Sequence, residues 1–192
     1  MARDRASRPE AKPLRLFAAI EIPEEVRGAL AEAVTPVRER FSRARWVPIQ
    51  NQHVTVKFLG STWPRLVEWV TETISGVAGR HEPFPTRVEG LGAFPNGRKA
   101  RVLWAGLDEA GGRLARLAAS LDEALAREFA SEKRAFAPHL TVARFDPPVG
   151  LDPLEVVFES EPFEIDRIVL FRSHLRRPAP VYESIGTFPL EG

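Results

Sequence analysis

Apolar residues along this chain fall into short runs whose period switches between two and about 3.6, which predicts strands alternating with amphipathic helices. The run from Arg15 to Ile22 (RLFAAIEI) reads as a strand ending at Pro23, and Pro23-Glu-Glu then opens a helix with acids in its first turn. Val26, Leu30, Val34 and Val37 carry that helix on, with Pro36 kinking or ending it. Arg45 to Pro48 is a short extended piece, and His53 to Leu59 a strand. Gly60-Ser-Thr leads into a second helix over Trp63–Val77. Phe84 to Phe94 alternates loosely and predicts a strand, Pro95-Asn-Gly-Arg a turn, and Arg101 to Leu107 a further strand. Leu114, Leu117, Leu121 and Leu125 lie on one face of a helix that closes near Phe129. His139 to Phe145 is the next strand, followed by a proline-rich loop at Asp146-Pro-Pro. Val156–Phe158, Phe163–Leu175 and Val181–Phe188 complete the strands, the last two as a hairpin.

A weak repeat runs through this order. Arg15 and Arg101 each open a strand, and each is followed 38 residues later by a histidine that opens another, at His53 and His139. Both intervals contain strand, helix and histidine strand, so the chain reads as two related lobes. The expected fold is α+β, with two mainly antiparallel sheets facing a central cleft and helices outside. Residues 1–13 read as a mobile polar tail, and 14–192 as a single bilobal domain.

The two histidine strands share a motif: HVT at position 53 and HLT at position 139. Alternate side chains of a strand share a face, so His53 and Thr55 point one way and Val54 and Val56 the other. His139 and Thr141 repeat the arrangement against Leu140 and Val142. Two lobes set face to face would surround one space with two imidazoles and two hydroxyls. Imidazole titrates near pH ~6.5, so one ring of a pair can be neutral while the other is charged. That is what general acid–base catalysis requires, each transfer contributing about 10²–10⁴-fold. Threonine hydroxyls donate to non-bridging phosphate oxygens and hold a phosphoryl group in line between the rings.

Composition narrows the chemistry. The chain has no cysteine, which removes disulfides, thiolate metal sites and a cysteine nucleophile. No carboxylate flanks either motif, and an H-x-T strand offers one good zinc ligand where two are wanted, so no metal is expected. Ser173 and His174 are sequence neighbours facing opposite ways on a strand, with no nucleophile elbow, so a serine triad is not supported. His174 and His81 read as surface histidines. A formal net charge of +1 imposes no global basic field, although a local basic cleft is compatible with it. No apolar run approaches the ~20 residues that span a bilayer, and the charged start is no secretory signal, so a cytoplasmic protein is expected.

HVTVKFLG, HLTVAR, the opening RLFAAIEIP, RWVP and FPNGRKARVLWAG together resemble the RNA 2′,3′-cyclic phosphodiesterases of the 2H phosphoesterase superfamily, formerly called 2′-5′ RNA ligases. The likeness runs from about Arg15 to Leu190. It implies a bilobal fold with both motifs in a central groove. It also implies metal- and ATP-independent hydrolysis of RNA 2′,3′-cyclic phosphate ends to 2′-phosphomonoesters, with reversible 2′-5′ joining in some members. Carried over, His53 is the proton donor to the leaving 3′ oxygen, His139 the base that activates water, and Thr55 and Thr141 the phosphate holders. The resemblance also favours a substrate role for Arg144, although simple alternation puts that residue on the opposite face from His139. Lys57 shares the alternation face of His53 and Thr55 and is a candidate RNA-phosphate contact. Trp46, Phe17 and Phe136 are candidates for stacking a base. The implied partner is RNA ending in a 2′,3′-cyclic phosphate, bound by a monomer without cofactor or membrane. Two alternatives stay open: a related 2H activity on a small cyclic nucleotide or 2′-5′ oligonucleotide, and an RNA-end binding protein whose histidines only grip phosphate.

Overall fold

The structure, a computed structural model, describes residues 12–108, 110–151 and 154–192; the expected tail over 1–13 lies almost wholly outside them. Among the described residues four α-helices, α1 (Glu24–Ala33), α2 (Thr35–Arg40), α3 (Val67–Ala78) and α4 (Arg113–Leu125), cover an antiparallel scaffold. Its strands are β1 (Leu14–Glu21), β2 (Arg45–Trp46), β3 (His53–Thr62), β4 (Phe84–Thr86), β5 (Val88–Phe94), β6 (Ala100–Leu107), β7 (His139–Val149), β8 (Phe163–Ile165), β9 (Arg167–His174) and β10 (Val181–Pro189).

Eight strands form one sheet in the order β10-β9-β1-β3-β7-β6-β5, with β2 laid on β7; β4 and β8 pair separately. The sheet has two halves, one built on β1 and β3 and the other on β6 and β7. They meet where β3 pairs with β7 at one residue pair only, Val54 with Leu140. Both residues sit inside an H-x-T motif, so the joint between the lobes carries both motifs side by side. This is the bilobal α+β fold expected from the repeat, its two antiparallel halves joined edge to edge.

Helices α3 and α4 pack on each other, α3 also against β9 and β10 and α4 against β3. Val70, Ile74 and Val77 of α3 and Leu114, Leu117, Leu121 and Leu125 of α4 are buried, as their helical spacing requires. Five successive residues of β1, Leu16 to Ile20, are buried, because one face of the strand meets the helices and the other an aromatic cluster.

Several boundaries move. The first helix breaks at Val34, with Pro36 in the opening turn of α2, where its missing N–H costs nothing. β3 runs to Thr62, past the expected end at Leu59, and turns at Gly60, whose φ of +68° suits glycine. α3 accordingly starts at Val67 rather than Trp63. The strand expected over Phe84–Phe94 is two strands, and so is the one over Phe163–Leu175. Asp146-Pro-Pro is not a loop: β7 continues to Val149. The two prolines fall where the ladder to β6 lapses, between Val102↔Arg144 and Ala100↔Val149, so their missing donors are not needed. Val156–Phe158 forms no strand and is held by Gly90 N–H on the Phe158 carbonyl. The β9–β10 hairpin forms as expected, pairing Val181 with His174.

Candidate active site

Strand β3 departs from simple alternation at one point. Its register with β1 pairs Ala18 with Lys57 and Ala19 with Thr55, leaving Val56 as an extra residue. Strand β7 does the same at the same motif position: Leu103 pairs with Ala143, Trp104 with Thr141, and Val142 is extra. These are β-bulges, which place two successive residues on one side and shift the following alternation by one. Val56 and Lys57 are therefore both buried, as are Val142 and Ala143. The fifth residue after each histidine, Phe58 in one motif and Arg144 in the other, returns to the histidine side and is exposed.

One device thus places two candidate residues on opposite sides of the sheet. Arg144 lines the cleft with the histidines, which alternation alone denied it. Lys57, contrary to expectation, does not line the cleft. Its side chain is 1% exposed on the helix side of the sheet, where Nζ donates to the carboxylate of Asp122 on α4 and to the Ala130 carbonyl at 2.9 Å.

The cleft itself is about 420 Å³ and brings together His53, Thr55, His139, Thr141, Arg144 and Trp46. Each histidine is oriented in the same way, through the carbonyl two residues before it. His53 Nδ1–H donates to Asn51 at 2.8 Å and His139 Nδ1–H to Ala137 at 2.7 Å. Tying up Nδ1 fixes the tautomer and leaves Nε2 as the working nitrogen of each ring. The rings' surroundings differ. His53 stacks on Phe17 at 4.8 Å between centroids and meets the edge of Tyr182 at 5.3 Å. His139 has Phe94 edge-on at 5.2 Å and Trp104 at 6.3 Å. Trp104 owes its place to Gly92, where a Cβ would come within 2.2 Å of its ring. Burial holds the His53 imidazole down at about 4, a donation to the Asn51 carbonyl only partly offsetting it.

Phe17, 4% exposed, is the floor under His53 and has no free face for a base. Trp46 lines the cleft with Nε1–H on the Phe41 carbonyl and the Arg38 guanidinium over its ring at 5.1 Å. Phe136 lies outside this cleft, in an adjoining groove that shares Thr55, Phe58 and His139 with it. His81 bonds Ser120 and His174 bonds Glu183, both away from the cleft.

Sequence reasoning missed Arg15, Arg45, Asn51, Phe58, Ser173 and Tyr182, all of which line the cleft. Arg15 stacks over Phe58 at 4.9 Å, and Arg45 is paired with Arg144 across β2 and β7. Burial pushes the Tyr182 phenol up, against the pull of the Arg144 and Arg15 guanidiniums. Asn51 braces the approach to His53 by donating Nδ2–H to the Pro180 carbonyl at 2.7 Å. Only Asn51 carried a usable signal, its position two before the first histidine, and Ala137 shows that the role needs a carbonyl rather than a side chain. Three guanidiniums, hydroxyls and two imidazoles, with no carboxylate among the lining residues, make a cleft suited to an anion that exchanges protons.

No helix among the described residues is long and apolar enough to cross a membrane. Comparison with known proteins gives a consistent picture. An RNA 2′,3′-cyclic phosphodiesterase of Thermus thermophilus is 37% identical over 185 residues, covering 93% of this chain and 91% of that one. One from Archaeoglobus fulgidus is 32% identical, covering 91% and 99%. One from Geobacillus stearothermophilus is 30% identical over 92% of this chain, which spans only 57% of that longer relative. Among solved structures, TT0787 of Thermus thermophilus superposes with a TM-score of 0.81 at 32% identity, covering 93% and 99% of the two chains. Escherichia coli LigT complexed with 3′-AMP shares the fold, with a TM-score of 0.76 at 24% identity over 94% and 99%. The family model of the 2′-5′ RNA ligase superfamily matches residues 22–177, a span that holds both H-x-T strands and the joint between them, and the chain belongs to that superfamily.

Proposed function

We propose that this protein hydrolyses the 2′,3′-cyclic phosphate at the end of an RNA to a 2′-phosphomonoester, with His53 and His139 as the acid–base pair. The observation that carries the reading is the matched pair of imidazoles in one arginine-lined cleft, each with Nδ1 held by a backbone carbonyl and Nε2 without a partner among the described residues. The names borne by the relatives supply the substrate class. Water attacks phosphorus as His139 Nε2 accepts its proton. The bond from phosphorus to the 3′ oxygen breaks as His53 Nε2–H delivers a proton to that oxygen. The proton count closes within the pair, and a second turnover needs only proton exchange between the rings and water. Thr55 and Thr141 hydroxyls donate to the non-bridging oxygens, while Arg144, Arg15 and Arg45 balance phosphate charge. Trp46, which lines the same cleft, contacts the terminal nucleoside. Joining of 2′-5′ linkages is the same chemistry with a 5′ hydroxyl in place of water, run in either direction.

The donor role of His53 has to be reconciled with its burial. In the free enzyme a group held at about 4 is neutral near pH 7. A phosphate monoanion set against Nε2 favours the imidazolium and raises that value on binding, so the donor is charged by its substrate. The expected pH dependence follows. For kcat/KM, which reports the free enzyme, the protonated donor is lost as pH rises through about 4; for kcat, which reports the complex, it is lost at higher pH. The test follows an RNA oligonucleotide ending in a 2′,3′-cyclic phosphate across pH in EDTA, mapping the product's phosphate position. A 2′-phosphate, with kcat sustained to higher pH than kcat/KM, supports the reading. Identical pH profiles for kcat and kcat/KM would remove the burial argument, and RNA binding without turnover would make the protein an RNA-end binder.

A further inference from the structure

The ion pair of Lys57 with Asp122 takes no part in the proton transfers above, yet it joins the first motif to the approach of the second. Lys57 belongs to β3, four residues after His53, and the Val56 bulge turns it inward to α4. Besides the Asp122 carboxylate, Nζ binds the Ala130 carbonyl, and Asp122 Oδ1 also accepts the Glu132 N–H at 3.1 Å. The pair therefore grips both ends of a tripeptide, Ala130 to Glu132, in the loop between α4 and β7.

That loop ends at the carbonyl of Ala137, which orients His139. Residues 130–135 and Ala137 are exposed, and only Phe136 among them is half-buried. Between Glu132 and Pro138 no backbone–backbone hydrogen bond is made among the described residues; the next anchor is Leu107 N–H on the Pro138 carbonyl, long at 3.3 Å. Glu132, Arg134 and Ala135 to Ala137 instead line a groove of about 960 Å³ that also reaches Lys57 and Asp122, so apart from Phe136, which packs against the core, the segment spans an opening. The first motif is held differently. Its approach is tied by Val47 N–H on the Val142 carbonyl, by a turn of 3-10 helix over Ile49–Asn51, by Arg27 on the Ile49 carbonyl and by Asn51 on Pro180.

We infer that Lys57 and Asp122 are positioning residues for His139: the lysine of the first motif fixes the loop whose carbonyl aims the histidine of the second. The inference rests on the acid–base reading of His139. It explains why a charged pair sits where apolar side chains of similar volume would serve stability as well. Apolar replacements cannot bind the Ala130 carbonyl and the Glu132 N–H.

The experiment compares wild type with Lys57→Met, Asp122→Asn and the double variant Lys57→Met/Asp122→Leu, assayed well below the melting temperature of each. Removing the carboxylate leaves the buried Lys57 charge unpaired and costs stability, and the double variant replaces both charges so that a folded protein lacking the clamp is available. In the double variant kcat on an RNA 2′,3′-cyclic phosphate is expected to fall by about 10- to 100-fold with KM little changed, the scale of a catalytic group misplaced by about 1 Å. In its ¹⁵N NMR spectrum His139 loses its single tautomer while His53 keeps its own. Asp122→Asn, which keeps an acceptor for Lys57 and Glu132, loses less. A folded double variant with wild-type kcat overturns the inference, and so does an equal disturbance of both histidines, which would mark a packing effect. If wild type does not turn over the cyclic phosphate, the proposed function fails, and the His139 tautomer still decides the clamp.

Discussion

His53→Ala and His139→Ala are each expected to lose about 10²–10⁴-fold in kcat on an RNA 2′,3′-cyclic phosphate, the usual worth of one positioned acid or base and about 3 to 5 kcal/mol of barrier. Because the two groups act in one transfer, the double variant should be little slower than the worse single one. The singles should differ in a way that identifies the roles. Departure of the 3′ oxygen without His53 leaves an unprotonated alkoxide, so a substrate with a better leaving group at phosphorus should rescue His53→Ala in part. Water still needs a base, so His139→Ala should gain little from that substrate and more from added imidazole. Burst-free initial rates on both substrates, in EDTA, make the comparison. Equal rescue of the two variants would reverse or dissolve the assignment, and wild-type rates in either would remove that histidine from the chemistry.

Thr55→Val and Thr141→Val are expected to lower kcat by about 10²–10³-fold each, the scale for removing one donor to a developing oxyanion. Valine keeps the β-branched shape that suits these strands, so the change isolates the hydroxyl. Thr55 is exposed and Thr141 half-buried beside His139, and neither hydroxyl is committed to a protein acceptor among the described residues. Both donors are thus available to a ligand. Serine in either place keeps the donor and should stay within about tenfold of wild type, since only rotamer freedom is added. Valine variants that retain wild-type kcat, measured at saturating RNA, would make the threonines strand residues only.

The outline of the fold and the heart of the site were legible because the short apolar run of Leu16–Ile20 marks a buried strand, the spacing of Val70–Val77 and Leu114–Leu125 marks helices, and alternate strand residues share a face. His53 with Thr55 and His139 with Thr141 could be placed on one face by the same rule. The rule fails three and four residues further on, at Val56–Lys57 and Val142–Ala143, because nothing in a valine marks the extra residue of a bulge. From that point alternation puts Lys57 in the cleft and leaves Arg144 to be admitted only by resemblance. The arginines of β1 and β2 and Tyr182 of β10 escape sequence reasoning for another reason: they reach the cleft by strand order across long sequence separations, and no local pattern encodes which strands become neighbours. Asp146-Pro-Pro reads as a loop because proline lacks a donor, but a strand stretch without a partner asks for none.

The matched bulges have a consequence for direction. Two histidines related by a pseudo-two-fold would treat a phosphate alike from either side, and a bound RNA could enter in two senses. After the bulges the fifth residue breaks that equivalence: one arm of the cleft ends in the phenyl ring of Phe58, 45% exposed, and the other in the guanidinium of Arg144. An apolar plane and a permanent cation select different parts of a nucleotide, the base and the charged backbone. On the proposed reaction, polarity along the substrate is therefore read by the residues that are not repeated, while the repeated ones perform the chemistry.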